Sequence, residues 1–297
     1  MNLRRVSLLI ASTAVAACSA PSDEAGQAEP AAASAAAEAA TVYGNAQAMG
    51  QGSIRPYVTV DAEGVPTEIG VDFPMTALQG LPAKKNTTSR CWDMNGDGEM
   101  TTDECDGDTE WRLPVPAVNG EATAPYQWVG VNFNPEGHVP PNWGVPHFDF
   151  HFYTVSEALI DGIRTGPCAM MMNCEDLEKG KVPVAEQYVA PNYISIGAVV
   201  PAMGNHLVDS TSPQMGPPFD PATHVLIYGS YDGAIIFIEP MVTLSYMEGK
   251  PEECFPVPRP EAVQATGHYP KQYCIRYDAE DDSMVVALTD LEYREAS

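Results

Sequence analysis

Beyond residue 42 the chain alternates apolar and polar positions with a period of two far more often than it shows a helical period, which predicts strands. Ser53–Val60 and Thr67–Phe73 read as two strands joined by the turn residues of Asp61–Pro66. Gln127–Asn134 and Tyr193–Val200 read as single strands. His224–Tyr228 and Ala234–Glu239 form a hairpin around Ser230–Gly233, and Tyr273–Tyr277 pairs with Ser283–Leu288 across an acidic turn. The alternation is strictest at Pro146–Tyr153, where His147, Asp149 and His151 share one face and Phe148, Phe150 and Phe152 the other. The phenylalanine face is predicted core. Helical stretches are short: Met75–Leu81, Ser156–Arg164 with Ser156 as N-cap, and Met241–Met247. Cys168–Cys174 reads as a methionine-rich turn. No internal repeat appears. The prediction is an α+β fold, mainly antiparallel β-sheet with a few short helices.

Composition sharpens this. The 297 residues hold 15 Lys+Arg against 40 Asp+Glu, a formal charge of −25. Such a chain repels nucleic acid and anionic lipid head groups and attracts cations. The acidic surface can also recruit a cationic protein partner or a second copy of the chain. At the N-terminus Arg4 and Arg5 precede the apolar run Val6–Ala14 and then Val15-Ala16-Ala17-Cys18. That tetrapeptide resembles a bacterial lipobox. The resemblance implies cleavage after residue 17, a lipid on Cys18 as the sole membrane attachment, and, with Ser19 next, an outer-membrane location facing the periplasm. The alternative is an ordinary signal peptide with an incidental cysteine. Residues 18–41 are rich in Ala, Glu, Pro and Ser and are predicted to be a flexible tether. Residues 42–297 are then a single β-rich domain.

Six further cysteines, Cys91, Cys105, Cys168, Cys174, Cys254 and Cys274, admit fifteen pairings. Neighbours in sequence point to 91–105, 168–174 and 254–274. A soft-metal site is the competing use, but the spacings lack paired C-x-x-C units.

Between the first two cysteines lies Asp93-Met94-Asn95-Gly96-Asp97-Gly98-Glu99-Met100-Thr101-Thr102-Asp103-Glu104. Asp93, Asn95 and Asp97 stand at positions 1, 3 and 5, Gly98 at the sharp-turn position 6, Glu99 at 7, Thr101 at 9 and Glu104 at 12. Hard calcium ions want such an oxygen cage. The segment resembles an EF-hand calcium loop, without the flanking helices; Pro114 and Pro116 exclude one after it. It is predicted as an inserted calcium loop at about 84–110, Ca2+ being structural. A chance acidic turn is the bland alternative.

A second constellation comprises His138, His147, Asp149, His151, His206 and Glu239. Imidazoles and carboxylates converging from several strands can hold a transition metal. Strand geometry limits the set: residues i and i+4 lie about 13 Å apart, so His147 and His151 cannot share one ion without a bulge. The alternative is a polar sheet face in which Asp149 orients a histidine. A His–Asp pair is also half of a hydrolytic triad, yet no G-x-S-x-G follows and no catalytic residue is assigned. Pro146–Tyr153, with Thr67–Val71 and Glu239–Thr243, looks like a bacterial family of secreted β-rich proteins of unassigned activity, covering about 42–297. The resemblance implies fold and location only. Two functions compete: a calcium-binding envelope lipoprotein, and a metal-dependent enzyme using the His/Asp/Glu set.

Overall fold

The structure, a computed structural model, describes residues 39–297. The expected signal peptide, Cys18 and all but the last three residues of the expected tether lie outside them. From the N-terminal side come β1 (Ala40–Tyr43), β2 (Gln47–Met49), β3 (Gly52–Val60) and β4 (Pro66–Pro74), then β5 (Thr109–Pro114), β6 (Trp128–Asn134) and β7 (His147–Tyr153). Helix α1 (Glu157–Asp161), β8 (Thr165–Cys168) and α2 (Cys174–Gly180) follow. Next are β9 (Tyr193–Val200), β10 (Gly204–Asp209), β11 (His224–Tyr231) and β12 (Ala234–Thr243). After α3 (Leu244–Glu248) come β13 (Glu252–Pro256), β14 (Gly267–Tyr269), β15 (Gln272–Asp278), β16 (Ser283–Thr289) and β17 (Glu292–Arg294).

One large sheet has the order β1-β3-β4-β16-β15-β13, with β2 also on β3; the other large sheet runs β5-β6-β7-β12-β11-β10-β9, and β14 and β17 form a small two-stranded sheet. Their strand pairings are antiparallel. The fold is thus α+β, dominated by antiparallel sheet with three short helices. The sheets pack face to face. Val58, Ile69, Val71 and Val286 of one meet Val131, Phe148, Phe150 and Ile238 of the other in one continuous core. Phe73 stacks on Phe150 across it with centroids 6.4 Å apart. The phenylalanine face of β7 is core, as its alternation predicts.

The outer face of the second sheet is buried as well. Trp128, Tyr153, Phe237 and Met241 pack beneath Trp143, Ile160, Ile163 and Leu177. That cover comes from α1, α2 and the connections, so the histidine face of β7 is an interior surface: His147, Asp149 and His151 are 0%, 4% and 0% exposed.

Several boundaries move. β1 begins at Ala40, inside the expected tether, because it pairs with β3. The expected helix at Met241–Met247 starts only at Leu244, since Met241–Thr243 continue β12 against β7. The cysteine turn at 168–174 is a short 3-10 turn that passes into α2, capped by the Asn173 side chain accepting from the amides of Glu175 and Asp176. Three disulfides join Cys91–Cys105, Cys168–Cys174 and Cys254–Cys274.

Candidate metal centres

Strand register divides the six expected ligands into two groups rather than one. His147 and Asp149 lie on β7 and meet His138 from the preceding connection; His151 of β7 meets Glu239 of β12 and His206 of β10. Within each group one ligand atom per residue lies within 4.8 Å of the others. The single six-residue pocket expected from the sequence is therefore corrected to two centres. The strand rise keeps His147 and His151 apart, as the spacing requires. Asp149 falls to His147 because its side chain approaches that ring, Oδ1 to Nε2 at 3.5 Å.

In the first group the Nδ1 of His138 lies 2.8 Å from the Val139 carbonyl and that of His147 lies 2.7 Å from the Val145 carbonyl. A carbonyl only accepts, so both Nδ1 atoms carry the proton and both Nε2 atoms present a lone pair. Those lone pairs face each other at 3.1 Å. Asp149 Oδ2 accepts from Asn134 at 2.6 Å, which fixes the carboxylate and leaves Oδ1 without a hydrogen-bond donor. His138 reaches solvent; its two partners do not.

In the second group His151 and Glu239 are buried and the His206 side chain is 13% exposed. His206 Nδ1 is held by the Ala198 carbonyl at 3.1 Å, turning Nε2 toward Glu239. Glu239 Oε2 stands 3.6 Å from His151 Nε2 and 3.7 Å from His206 Nε2, and has no hydrogen-bond partner. Neither ring nitrogen of His151 is hydrogen-bonded, although the Gly130 backbone lies close to the ring. Phe237 packs edge-on against both rings, with centroids 4.8 Å from His151 and 5.3 Å from His206, and the two imidazoles meet each other at 6.1 Å. Gly229 makes room for it, since a Cβ there would sit 2.0 Å from the Phe237 ring.

Electrostatics follow burial. It pushes the imidazoliums of His147 and His206 down to about 4 and His151 well below the usual histidine range. His138 is lowered by packing around its ring and then by His147, although the residue touches solvent. The same burial raises Asp149 to about 7, partly opposed by His138, and holds Glu239 well above the carboxylate range, with Asp149 adding to it.

Around both groups runs a polar layer that sequence reasoning missed. Arg90, just before Cys91, bonds Asp106, just after Cys105, at 2.9 Å and also contacts Asp108. Asp108 accepts from Asn132 and from Ser89 Oγ. The two asparagines were legible as a pair, Asn132 and Asn134 alternating on one face of β6 opposite Asp149 and His147. Arg90 and Asp106 carry no such signal, because a disulfide across the insertion brings them in. No serine or threonine hydroxyl bonds any of the four histidines among the described residues.

The acidic insertion folds as a closed loop between the bridged Cys91 and Cys105. Asp93 accepts from the amides of Gly96 and Gly98 at 2.6 and 2.9 Å, Asn95 from Asp97 at 2.8 Å, and Asp97 from Glu99 at 2.8 Å. Gly98, with φ +83°, makes the turn expected of position 6. Glu104 is buried and accepts from the amides of Met94, Asn95 and Thr101 and from the Thr101 hydroxyl. The loop's acidic side chains do not gather three ligand atoms within 4.8 Å; among the described residues the two histidine groups do.

No protein-family model matches the chain, and neither a curated protein nor a solved structure matches it.

Proposed function

We propose that this is an exported metal-binding protein holding two transition-metal ions, one at His138, His147 and Asp149, the other at His151, His206 and Glu239. One observation carries the reading: two imidazole lone pairs face each other at 3.1 Å beside a carboxylate oxygen with no hydrogen-bond donor. Two acceptors in that position repel unless a cation lies between them. A tetrahedral ion with bonds of about 2.0–2.2 Å sets neighbouring ligand atoms roughly 3.3–3.5 Å apart; four of the six pairs here lie at 3.1 to 3.7 Å and all lie within 4.8 Å. Two imidazoles and one carboxylate suit zinc, iron, nickel or copper better than calcium. Three disulfides fit an oxidising compartment, in keeping with the lipobox-like start, an anchor at Cys18 and an outer-membrane location facing the periplasm.

Binding is the reading that the ligand geometry itself supports; the cavities beside Tyr126 and beside Asn119 are lined by none of the six ligands. An enzyme reading rests on His138, the one exposed residue of the six. Calcium binding by Asp93, Asn95, Asp97, Glu99, Thr101 and Glu104 is a separate, compatible reading, favoured by the loop's closure and the positive φ of Gly98.

The test is elemental analysis of protein purified without chelator, with His147→Gln and Glu239→Gln beside the native chain. Two equivalents of a transition metal, each variant losing one, is the expected result. Protein that retains none, and whose melting temperature ignores added Zn2+, Cu2+, Ni2+ and Fe2+, overturns the proposal.

A further inference from the structure

A cleft of about 340 Å3 lies apart from the six metal ligands, between three walls whose backbones are fixed. One is the turn joining β3 to β4, where Asp61 Oδ1 accepts from the amides of Glu63 and Val65 at 3.0 and 2.8 Å. The second is the turn at Asn119-Gly120, closed by reciprocal amide bonds of 2.9 Å between Val118 and Glu121. The third is the β14–β17 pair, tied to the second by the His268 amide donating to the Ala124 carbonyl at 2.9 Å. Gly267 permits that contact, since a Cβ there would lie 2.6 Å from the Ala124 backbone.

The side chains of Asn119, Glu121, His268 and Tyr293 line this space. Among the described residues none of the four makes a side-chain hydrogen bond or ion pair. Asn119, Glu121 and Tyr293 are exposed, Tyr293 at 56%, and its ring meets that of His268 edge-on at 5.5 Å. Burial lowers the pKa of His268, so its ring is neutral and offers one donor and one acceptor. These groups select an occupant. The lining holds no Lys or Arg, so an anion finds no counter-charge. A cationic amine brings only donors and leaves the N–H groups of Asn119 and His268 unmatched. A hydrocarbon leaves all four side chains unmatched. A hydroxyl both donates and accepts, so a ring of carbons bearing several hydroxyls answers the amide, carboxylate and imidazole together. The C–H face of such a ring suits an exposed aromatic surface. Small-molecule sites begin at about 300 Å3, so the cleft admits one such ring. We infer that this cleft binds one pyranose ring of a neutral saccharide, its hydroxyls on Asn119, Glu121 and His268 and its C–H face against Tyr293. The site shares no residue with the metal groups and is independent of metal binding.

The experiment titrates the full folded chain with D-glucose, D-galactose, D-mannose and N-acetyl-D-glucosamine, and separately with choline and with acetate. The ring resonances of His268 and Tyr293 are followed by 1H–13C NMR. Saturable shifts with at least one of the four sugars, and none with choline or acetate, are expected. Tyr293→Ala removes the aromatic face and is expected to weaken binding of that sugar about tenfold, read at His268, with an unchanged melting temperature. Asn119→Gly keeps the turn, whose φ of 52° glycine adopts freely, removes the amide, and is expected to weaken it by about the same factor. Absence of saturable shifts with all four sugars overturns the proposal. So does choline or acetate binding as tightly as any of them, or a sugar affinity that neither variant changes.

Discussion

The Nε2 atoms of His138 and His147 face each other at 3.1 Å while each ring donates its Nδ1 proton to a backbone carbonyl. Backbone anchoring of one nitrogen is the usual way a metal-ligating histidine has its tautomer and orientation set. His206 has the same arrangement in the other group. The two groups share no ligand, so their losses should be separable.

His147→Gln is expected to abolish one equivalent of bound metal and leave the other, and Glu239→Gln the reverse. At metal concentrations about 100 times Kd each filled site adds about 2.7 kcal/mol to stability. Each variant should therefore lose about that much of the metal-induced gain, read from urea unfolding with and without added zinc. A single variant that removes both equivalents would show one shared centre instead.

The groups also differ in access. His138 is exposed, whereas His151 and Glu239 are buried and the His206 side chain is only 13% exposed. A chelating dye should withdraw metal in two phases, the fast one from the His138 group. Opening the second group requires displacing Phe237 and its covering layer, a local unfolding event. His138→Ala should delete the fast phase and leave the slow rate unchanged. A monophasic release from the native protein contradicts this ordering.

The fold was legible where alternation was strict and hidden where it was broken. Pro146–Tyr153 announced a strand with a core face. β10 did not, because Gly204–Asp209 is short and its pairing with β9 shifts register between His206 and Leu207. All six ligands could be named from residue type. Their grouping could not, since it depends on β7, β12 and β10 lying within reach of one another in one sheet. Nor could the burial of the histidine face, because the residues covering it come from α1, α2 and the connections. The cysteine pairs followed from proximity; that Arg90 and Asp106 thereby enter the polar layer did not.

Gly229 should be sensitive to a single methyl group. An added Cβ would lie 2.0 Å from the Phe237 ring, and Phe237 packs against both His151 and His206. Overpacking of this kind costs about 1–3 kcal/mol. Gly229→Ala is expected to destabilise the protein by that amount and to weaken metal binding at His151, His206 and Glu239 while sparing the His138 group. Measuring zinc stoichiometry and the unfolding midpoint on one sample checks both halves.

The acidic loop makes its own prediction. Extracellular calcium modules bind at about 10⁻⁴–10⁻³ M, so millimolar calcium should raise the melting temperature. Asp93→Ala combined with Glu104→Ala should remove the rise. Glu104 also accepts four hydrogen bonds within the loop, so the variant's baseline will be lower and only the calcium increment is diagnostic. An equal melting temperature in EDTA and in 5 mM calcium, a concentration on the order of five to fifty times those Kd values, would rule calcium out.

His224 gives a pH dependence away from both metal groups. Its ring stacks on Phe255 at 3.9 Å between centroids, and Nδ1 meets the Tyr273 hydroxyl at 2.9 Å. Burial lowers its pKa below the ordinary histidine value, outweighing the opposing pull of Glu253. As pH falls below about 6.5 the unfolded chain protonates this residue first. The unfolded state then binds more protons, and stability drops. The contribution is full above that pH and is lost as pH falls through the lower, folded value. His224→Phe keeps the stack and cannot titrate. Its melting temperature should fall less between pH 7.5 and pH 5.5 than that of the native protein, both measured at saturating zinc. An equal fall in the two proteins would mean that His224 carries its proton as readily in the fold as outside it.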